Sequence, residues 1–120
     1  MADHNDLGIL GEKLAQEFLV KKGYEILETN WTYLKAEIDI IARIEPGILV
    51  IAEVKTRTNT FIGKPEEFVS RGKQQQLVKA ADAYIKEKGW QDEVRFDIIA
   101  VVLNEKYQQI EHLEDAFYFF

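Results

Sequence analysis

Apolar residues recur along this chain with two periods, and the switches between them predict seven elements in the order α-β-β-β-α-β-β. Leu7, Leu10, Leu14 and Phe18 fall at helical spacing, with Asp6 placed to cap the helix and Gly23, after Lys21 and Lys22, placed to stop it. Tyr24 to about Asn30 reads as a strand, and Trp31–Lys35 as an irregular stretch. Ala36–Ile44 alternates, with Ile38, Ile40, Ala42 and Ile44 on one face and Glu37, Asp39, Ile41 and Arg43 on the other. Glu45-Pro46-Gly47 is a turn signal, so the next strand, Ile48 to about Arg57, is expected to pair antiparallel as a hairpin. Thr58–Lys64 is a polar loop containing Phe61 and Gly63, and Pro65 opens a short turn. Ser70 caps a long second helix whose apolar stripe is Leu77, Ala80, Ala81, Tyr84 and Ile85, and Gly89 ends it. Val94–Leu103 is strand-like, and Gln109–Leu113 reads as a short edge strand. The pattern describes a mixed sheet covered by helices.

Composition narrows this picture only slightly. The 120 residues suit a single domain over 1–120, with 47% apolar and 30% charged residues in the balance of a folded protein. There is no cysteine, which removes disulfides and thiolate metal sites and fits a reducing cytoplasm. No apolar run approaches the roughly 20 residues that span a bilayer, and MADHNDLG is not signal-like, so no membrane partner and a cytoplasmic location are the expectation. His4 and His112 stand without ligand-like neighbours in sequence, against a zinc site, and neither a P-loop nor a dinucleotide fingerprint is present.

Charge distribution changes more than its sum. The net charge of −6 argues against a polyanion partner. Yet residues 54–80 carry six bases (Lys55, Arg57, Lys64, Arg71, Lys73, Lys79) against Glu66 and Glu67, whereas the segments on either side are each net −5. Such a strip can guide nucleic acid to a local site, and a solvated basic helix would give the same pattern.

The chemistry concentrates in the strand Ile48–Arg57. Its two faces, Ile48, Val50, Ala52, Val54 and Leu49, Ile51, Glu53, Lys55, both begin apolar, as in a strand covered on both sides. Glu53 and Lys55 then interrupt one face near the end of the strand. Charges beside a buried strand are costly unless paired or bound to an ion. A plain Glu53–Lys55 ion pair is one explanation. The neighbouring strand offers another, because the hairpin register brings Asp39 near to opposite Glu53. Two adjacent carboxylates repel unless one is protonated or a cation lies between them, and Mg²⁺ accepts a few carboxylate oxygens and several waters.

The runs Glu37-Ile38-Asp39-Ile40-Ile41-Ala42 and Ala52-Glu53-Val54-Lys55-Thr56-Arg57 resemble the signature of the PD-(D/E)XK nuclease superfamily, an acid, a gap, then acid-x-Lys. More closely, the chain resembles the YraN-like bacterial proteins within that superfamily. The resemblance runs from Gly11-Glu12, Ala15, Phe18-Leu19 and Gly23-Tyr24 through these motifs to Phe61-Ile62-Gly63, Lys73-Gln74, Arg95-Phe96-Asp97 and Ala116-Phe117. It implies an α/β, restriction-endonuclease-like three-layer fold with a mixed central sheet flanked by helices. It also implies that Asp39, Glu53 and the Val54 carbonyl hold Mg²⁺, with Mn²⁺ as a substitute, and that Lys55 orients or deprotonates the attacking water. Its resolvase-like members place a helix-1 glutamate in the metal site, a position that Glu12 matches; from the residues alone, Glu12 reads more readily as a first-turn acid favoured by the helix dipole than as a site residue.

Other residues keep two readings. Glu37 is a supporting acid or faces solvent. Arg57, Lys73 and Gln74 contact phosphate or belong to polar surface. Asp97 beside Arg95 reads as structural, and the Phe117–Phe120 cluster as docking on its own core. The implied function is metal-dependent hydrolysis of DNA phosphodiester bonds, on branched or damaged DNA by similarity to Holliday-junction resolvases, which act as homodimers on two-fold DNA. The competing expectation is a non-catalytic DNA-binding or assembly module that retains the site.

Overall fold

A computed structural model of the chain describes residues 4–59 and 69–117, with side chains described from Asp6 onward. Phe61, Ile62, Gly63, Lys64, Pro65, Glu66, Glu67 and Tyr118–Phe120, named above, lie outside the described residues. The elements are α1 (His4–Lys21), β1 (Glu25–Tyr33), β2 (Ala36–Ile44), β3 (Ile48–Arg57), α2 (Arg71–Lys88), β4 (Glu93–Leu103) and β5 (Gln108–Phe117). The order is the one that the hydrophobic pattern predicts.

The five strands form one sheet in sequential order. β1–β2, β2–β3 and β4–β5 pair antiparallel, and β3 pairs parallel with β4. That one parallel pairing makes the sheet mixed and requires the crossover that carries α2. The helices cover opposite faces. Leu77, Ala80, Ala81 and Tyr84 of α2 pack on Ile41, Leu49, Ile51, Phe96 and Ile98. Ala15 and Leu19 of α1 pack on Ile40, Ala42, Val50, Ala52, Ile99 and Val101. β3 and β4 are thus buried on both sides, as their continuous apolar runs require. This helix–sheet–helix layering is the restriction-endonuclease-like arrangement.

Several local expectations are corrected. Asp6 lies inside the first turn of α1 rather than at its cap, where a carboxylate still complements the helix dipole. The buried face of α1 is Gly11, Ala15 and Leu19, while Leu10 is 41% exposed. Small residues bring the helix close to the sheet, and the larger Leu14 and Phe18 only flank that contact. In α2 the Ser70 Oγ accepts the Lys73 amide at 3.2 Å, and Gly89 closes the helix with a left-handed φ of 67°. β1 continues through Trp31–Tyr33, because Trp31 pairs with Ile38 and its ring meets Tyr84 edge-on at 5.2 Å. β5 extends to Phe117, which pairs with Phe96 past a register shift.

The strict alternation expected for β2 fails at its centre. Ile40 packs on the α1 side, but Ile38 joins the α2-side cluster together with Trp31, its partner on β1. Between these levels lie Asn30, with a φ of 51°, and Asp39. Both strands turn over at this point, and the candidate site occupies it.

Candidate metal and phosphodiester site

The β2–β3 ladder runs from Ile44↔Ile48 to Ile40↔Ala52 and goes no further. One step on, Asp39 comes opposite Glu53, as the hairpin register predicts. There the Asp39 Oδ2 accepts the Val54 amide at 2.8 Å, so a side chain replaces the ladder partner. The N–H and C=O of a strand residue lie on the same edge. The Val54 carbonyl therefore also faces the opening between β2 and β3.

Glu53 is only 4% exposed. Its Oε1 lies 3.5 Å from Lys73 Nζ and 3.8 Å from Lys55 Nζ. Its Oε2 is buried with no fixed hydrogen-bond donor, and the neighbouring Asp39 carboxyl can donate to Glu53 only when it carries a proton. Burial raises the Glu53 carboxyl above its ordinary range, against the pull of Lys73 and then Lys55. Asp39 is pushed up to about 7, by burial first and by the charge of Glu53 second; the Val54 hydrogen bond opposes this, while Glu12 and Glu37 add to it. Two acids held this way bind either a shared proton or a cation.

A hard divalent cation fits this donor set. Glu53 Oε2 needs a donor or a cation, and Asp39 and the Val54 carbonyl supply oxygens on the same opening. Among the described residues no three acidic or imidazole side chains form a ready-made cage. The candidate set is therefore two carboxylates and a carbonyl, completed by water, which suits Mg²⁺ better than a cation that needs six to eight protein oxygens.

Glu12 stands at the rim. Its Oε1 accepts Asn30 Nδ2 at 2.8 Å, and the same amide donates to Glu37 Oε1 at 2.9 Å. Asn30 thus ties α1, β1 and β2 together and separates two acids that otherwise repel. Gly11 makes this placement feasible, since a Cβ there would overlap the Thr56 hydroxyl of β3. Glu12, Val54, Lys55, Thr56 and Arg57 line a cleft of about 620 Å³ between the start of α1 and the end of β3.

The structure brings together Glu12, Asp39, Glu53, Val54, Lys55 and Lys73, with Arg57 on the cleft wall. Gln74 is turned away, its Nε2 donating to the Val69 carbonyl at 3.0 Å. Lys73 meets Glu53, a contact that sequence spacing does not suggest. Asn30 was missed altogether. Its only signal in the sequence is an amide residue interrupting a strand-like run.

A second polar cluster is structural. Asp97 is fully buried and takes Arg95 Nε and Nη2 at 2.9 and 2.8 Å, His112 Nε2 at 2.7 Å and the Asp115 amide at 3.0 Å. Lys22 Nζ reaches His112 Nδ1 at 2.8 Å, and Arg95 also donates to the Tyr24 hydroxyl at 2.6 Å. These bonds hold the bulge in β5 and the end of α1 against β4.

No helix among the described residues is long and apolar enough to cross a membrane. The profile of the uncharacterised protein family UPF0102 matches residues 11–101, which span both acids and the lysine. A UPF0102 protein of Flavobacterium psychrophilum is 59% identical over 120 residues, covering the whole of both chains. UPF0102 proteins of Christiangramia forsetii and Flavobacterium johnsoniae are each 52% identical over the full length of both chains. On this similarity, the chain belongs to the UPF0102 family, the YraN-like group that its motifs resemble.

Proposed function

We propose that this protein is a divalent-metal-dependent nuclease that hydrolyses DNA phosphodiester bonds, with branched or damaged DNA as its substrate. The observation that carries the proposal is the buried Glu53 Oε2, which no fixed donor satisfies, beside an Asp39 carboxyl pushed up to about 7. Asp39, Glu53 and the Val54 carbonyl would hold Mg²⁺ or Mn²⁺, which supplies Lewis acidity and a water of lowered pKa.

The chain's own groups account for the rest. Asp39 is oriented by the Val54 amide before any ligand arrives. Lys55 Nζ stands at the cleft and offsets charge as it grows on the phosphate oxygens. Lys73 balances Glu53 from the α2 side. Glu12, fixed by Asn30, adds a third acid at the edge of the opening, where it can accept a hydrogen bond from water. Arg57 lies on the cleft wall, where the DNA backbone would pass.

Incubating the protein with single-stranded, duplex and branched DNA in Mg²⁺ or Mn²⁺ tests this. Wild type should cut at least one substrate and Asp39→Asn none; no cutting, or equal cutting by both, overturns it. One observation favours a non-catalytic DNA-binding module instead: two ammonium groups already sit on Glu53 Oε1. That reading requires DNA binding in chelator that is indifferent to Glu53→Gln.

A further inference from the structure

The tip of the β1–β2 hairpin breaks two rules at once. Leu34 is 87% exposed, and its φ of 55° lies in the left-handed region that bulky side chains avoid. Asparagine or glycine would form this turn without strain and without exposing an apolar side chain. Tyr33, beside it, is 41% exposed. Together with Ala36 and the stems of Lys35, Gln76 and Lys79, these residues border a shallow pocket of about 450 Å³.

Lysines outnumber acids at this tip: Lys35 and Lys79 line the pocket, and Lys86, held by Asp82, lies near Tyr33. No ion pair with a described residue engages Lys35 or Lys79. The nearest acid along β2, Glu37, is tied to Asn30, and Lys86 is paired with Asp82. On α2, Lys73, Gln76 and Lys79 recur at a spacing of three, which lines one helix face from Glu53 to the hairpin tip. An aromatic and an aliphatic side chain at a protruding tip, flanked by lysines with no ion pair to a described residue, suit a polyanion whose bases are accessible for stacking.

We propose that Tyr33 and Leu34 form a wedge that seats where a DNA duplex opens into single strands, with Lys35 and Lys79 on the flanking phosphates. This rests on the nuclease reading for its substrate and adds the feature that selects a branch. Leu34 sits in the turn just before Ala36, and Ala36 precedes Asp39 by three residues, about 10 Å along β2, so a duplex opened at the tip delivers its backbone toward the acids.

The test uses the full chain in chelator with a forked DNA duplex carrying a fluorescent aminopurine base at the branch. Wild type should bind the fork more tightly than a blunt duplex and brighten the probe by unstacking it. Leu34→Asn, which suits the left-handed turn, should lose the brightening and about tenfold of the fork affinity. Lys35→Gln combined with Lys79→Gln should lower the slope of log affinity against log salt by about two. Arg43→Gln, one positive charge fewer at the opposite end of β2, should leave the brightening intact. Equal preference for fork and blunt duplex, or an unchanged probe signal in Leu34→Asn, overturns the wedge. Metal-dependent cutting of linear DNA by the same variants judges the nuclease reading separately. Cutting without fork preference removes only the wedge, and fork opening without any cutting removes only the nuclease.

Discussion

The Val54 amide donates to Asp39 Oδ2 at 2.8 Å at the level where the β2–β3 ladder stops. One hydrogen bond thereby does two things. It satisfies a backbone donor that would otherwise need a strand partner, and it aims a carboxylate at Glu53. Both follow from the break in the alternation of β1 and β2 at Asn30 and Asp39, which opens the sheet while the Val54 amide keeps a partner. The cost is two acids in a half-buried opening.

That cost makes stability depend on pH. In the absence of metal, Asp39 holds its proton up to about 7, against 3.8 when unperturbed. A raised folded pKa stabilises fully below the ordinary aspartate range, and this contribution is lost as pH rises through about 7. Glu53 shifts in the same direction. Urea melts in chelator should therefore show stability falling from the ordinary aspartate range to near neutrality, and Asp39→Asn should flatten that fall. Mn²⁺ should restore wild-type stability on the alkaline side, because metal replaces the proton there. A wild-type profile parallel to that of Asp39→Asn contradicts the account.

Lys55 and Lys73 both face Glu53 but should respond differently to mutation. Lys55 borders the cleft where phosphate would lie. Lys55→Met should lower kcat by about two to four orders of magnitude, the range for removing a positioned acid, base or charge. Lys73→Met removes the closer countercharge of a buried carboxylate, so its main effect should be on metal-free stability. Steady-state rates and denaturant midpoints for the two variants check this.

Gly11 should tolerate no side chain. A Cβ there would overlap the Thr56 hydroxyl, and overpacking of this kind typically costs about 1–3 kcal/mol. Gly11→Ala should also push α1 outward and carry Glu12 away from Asn30. Thr56→Ala should recover part of the lost stability, which a thermal melt of the double variant would reveal.

The Asp97 cluster should behave as a structural clamp. Burial alone would raise the Asp97 carboxyl, but its hydrogen bonds to His112, Arg95 and the Asp115 amide hold it below the ordinary range. Its contribution is present above that range and lost as pH falls, the opposite sense to Asp39. Asp97→Ala leaves Arg95 and His112 without their buried acceptor and should cost about 3–5 kcal/mol. Metal affinity measured on the folded fraction should not change.

Much of this was legible in the residues. β3 announced itself as buried on both faces, and Glu53 and Lys55 stood out because they interrupt that run. The Glu45-Pro46-Gly47 turn set the register that brings Asp39 opposite Glu53. Less was legible where side-chain size or backbone handedness decides. Gly11 and Ala15 place α1, yet an apolar stripe weighted by large residues pointed to Leu10. The turnover at Asn30 breaks the alternation of β2, so Ile38 packs on the face that its period denies. Lys73 reaches Glu53 only through the crossover that lays α2 across the sheet, a relation across twenty residues that no local pattern contains.

The central claim is that Asp39, Glu53 and the Val54 carbonyl hold a divalent cation. A crystal structure of the wild-type chain grown in millimolar Mn²⁺, with anomalous data, tests it most directly. The account predicts an anomalous peak in the opening between β2 and β3, with Glu53 Oε2 and Asp39 among its ligands, and no peak in Asp39→Asn. An opening without a peak at that concentration, with both lysines still on Glu53, would contradict it.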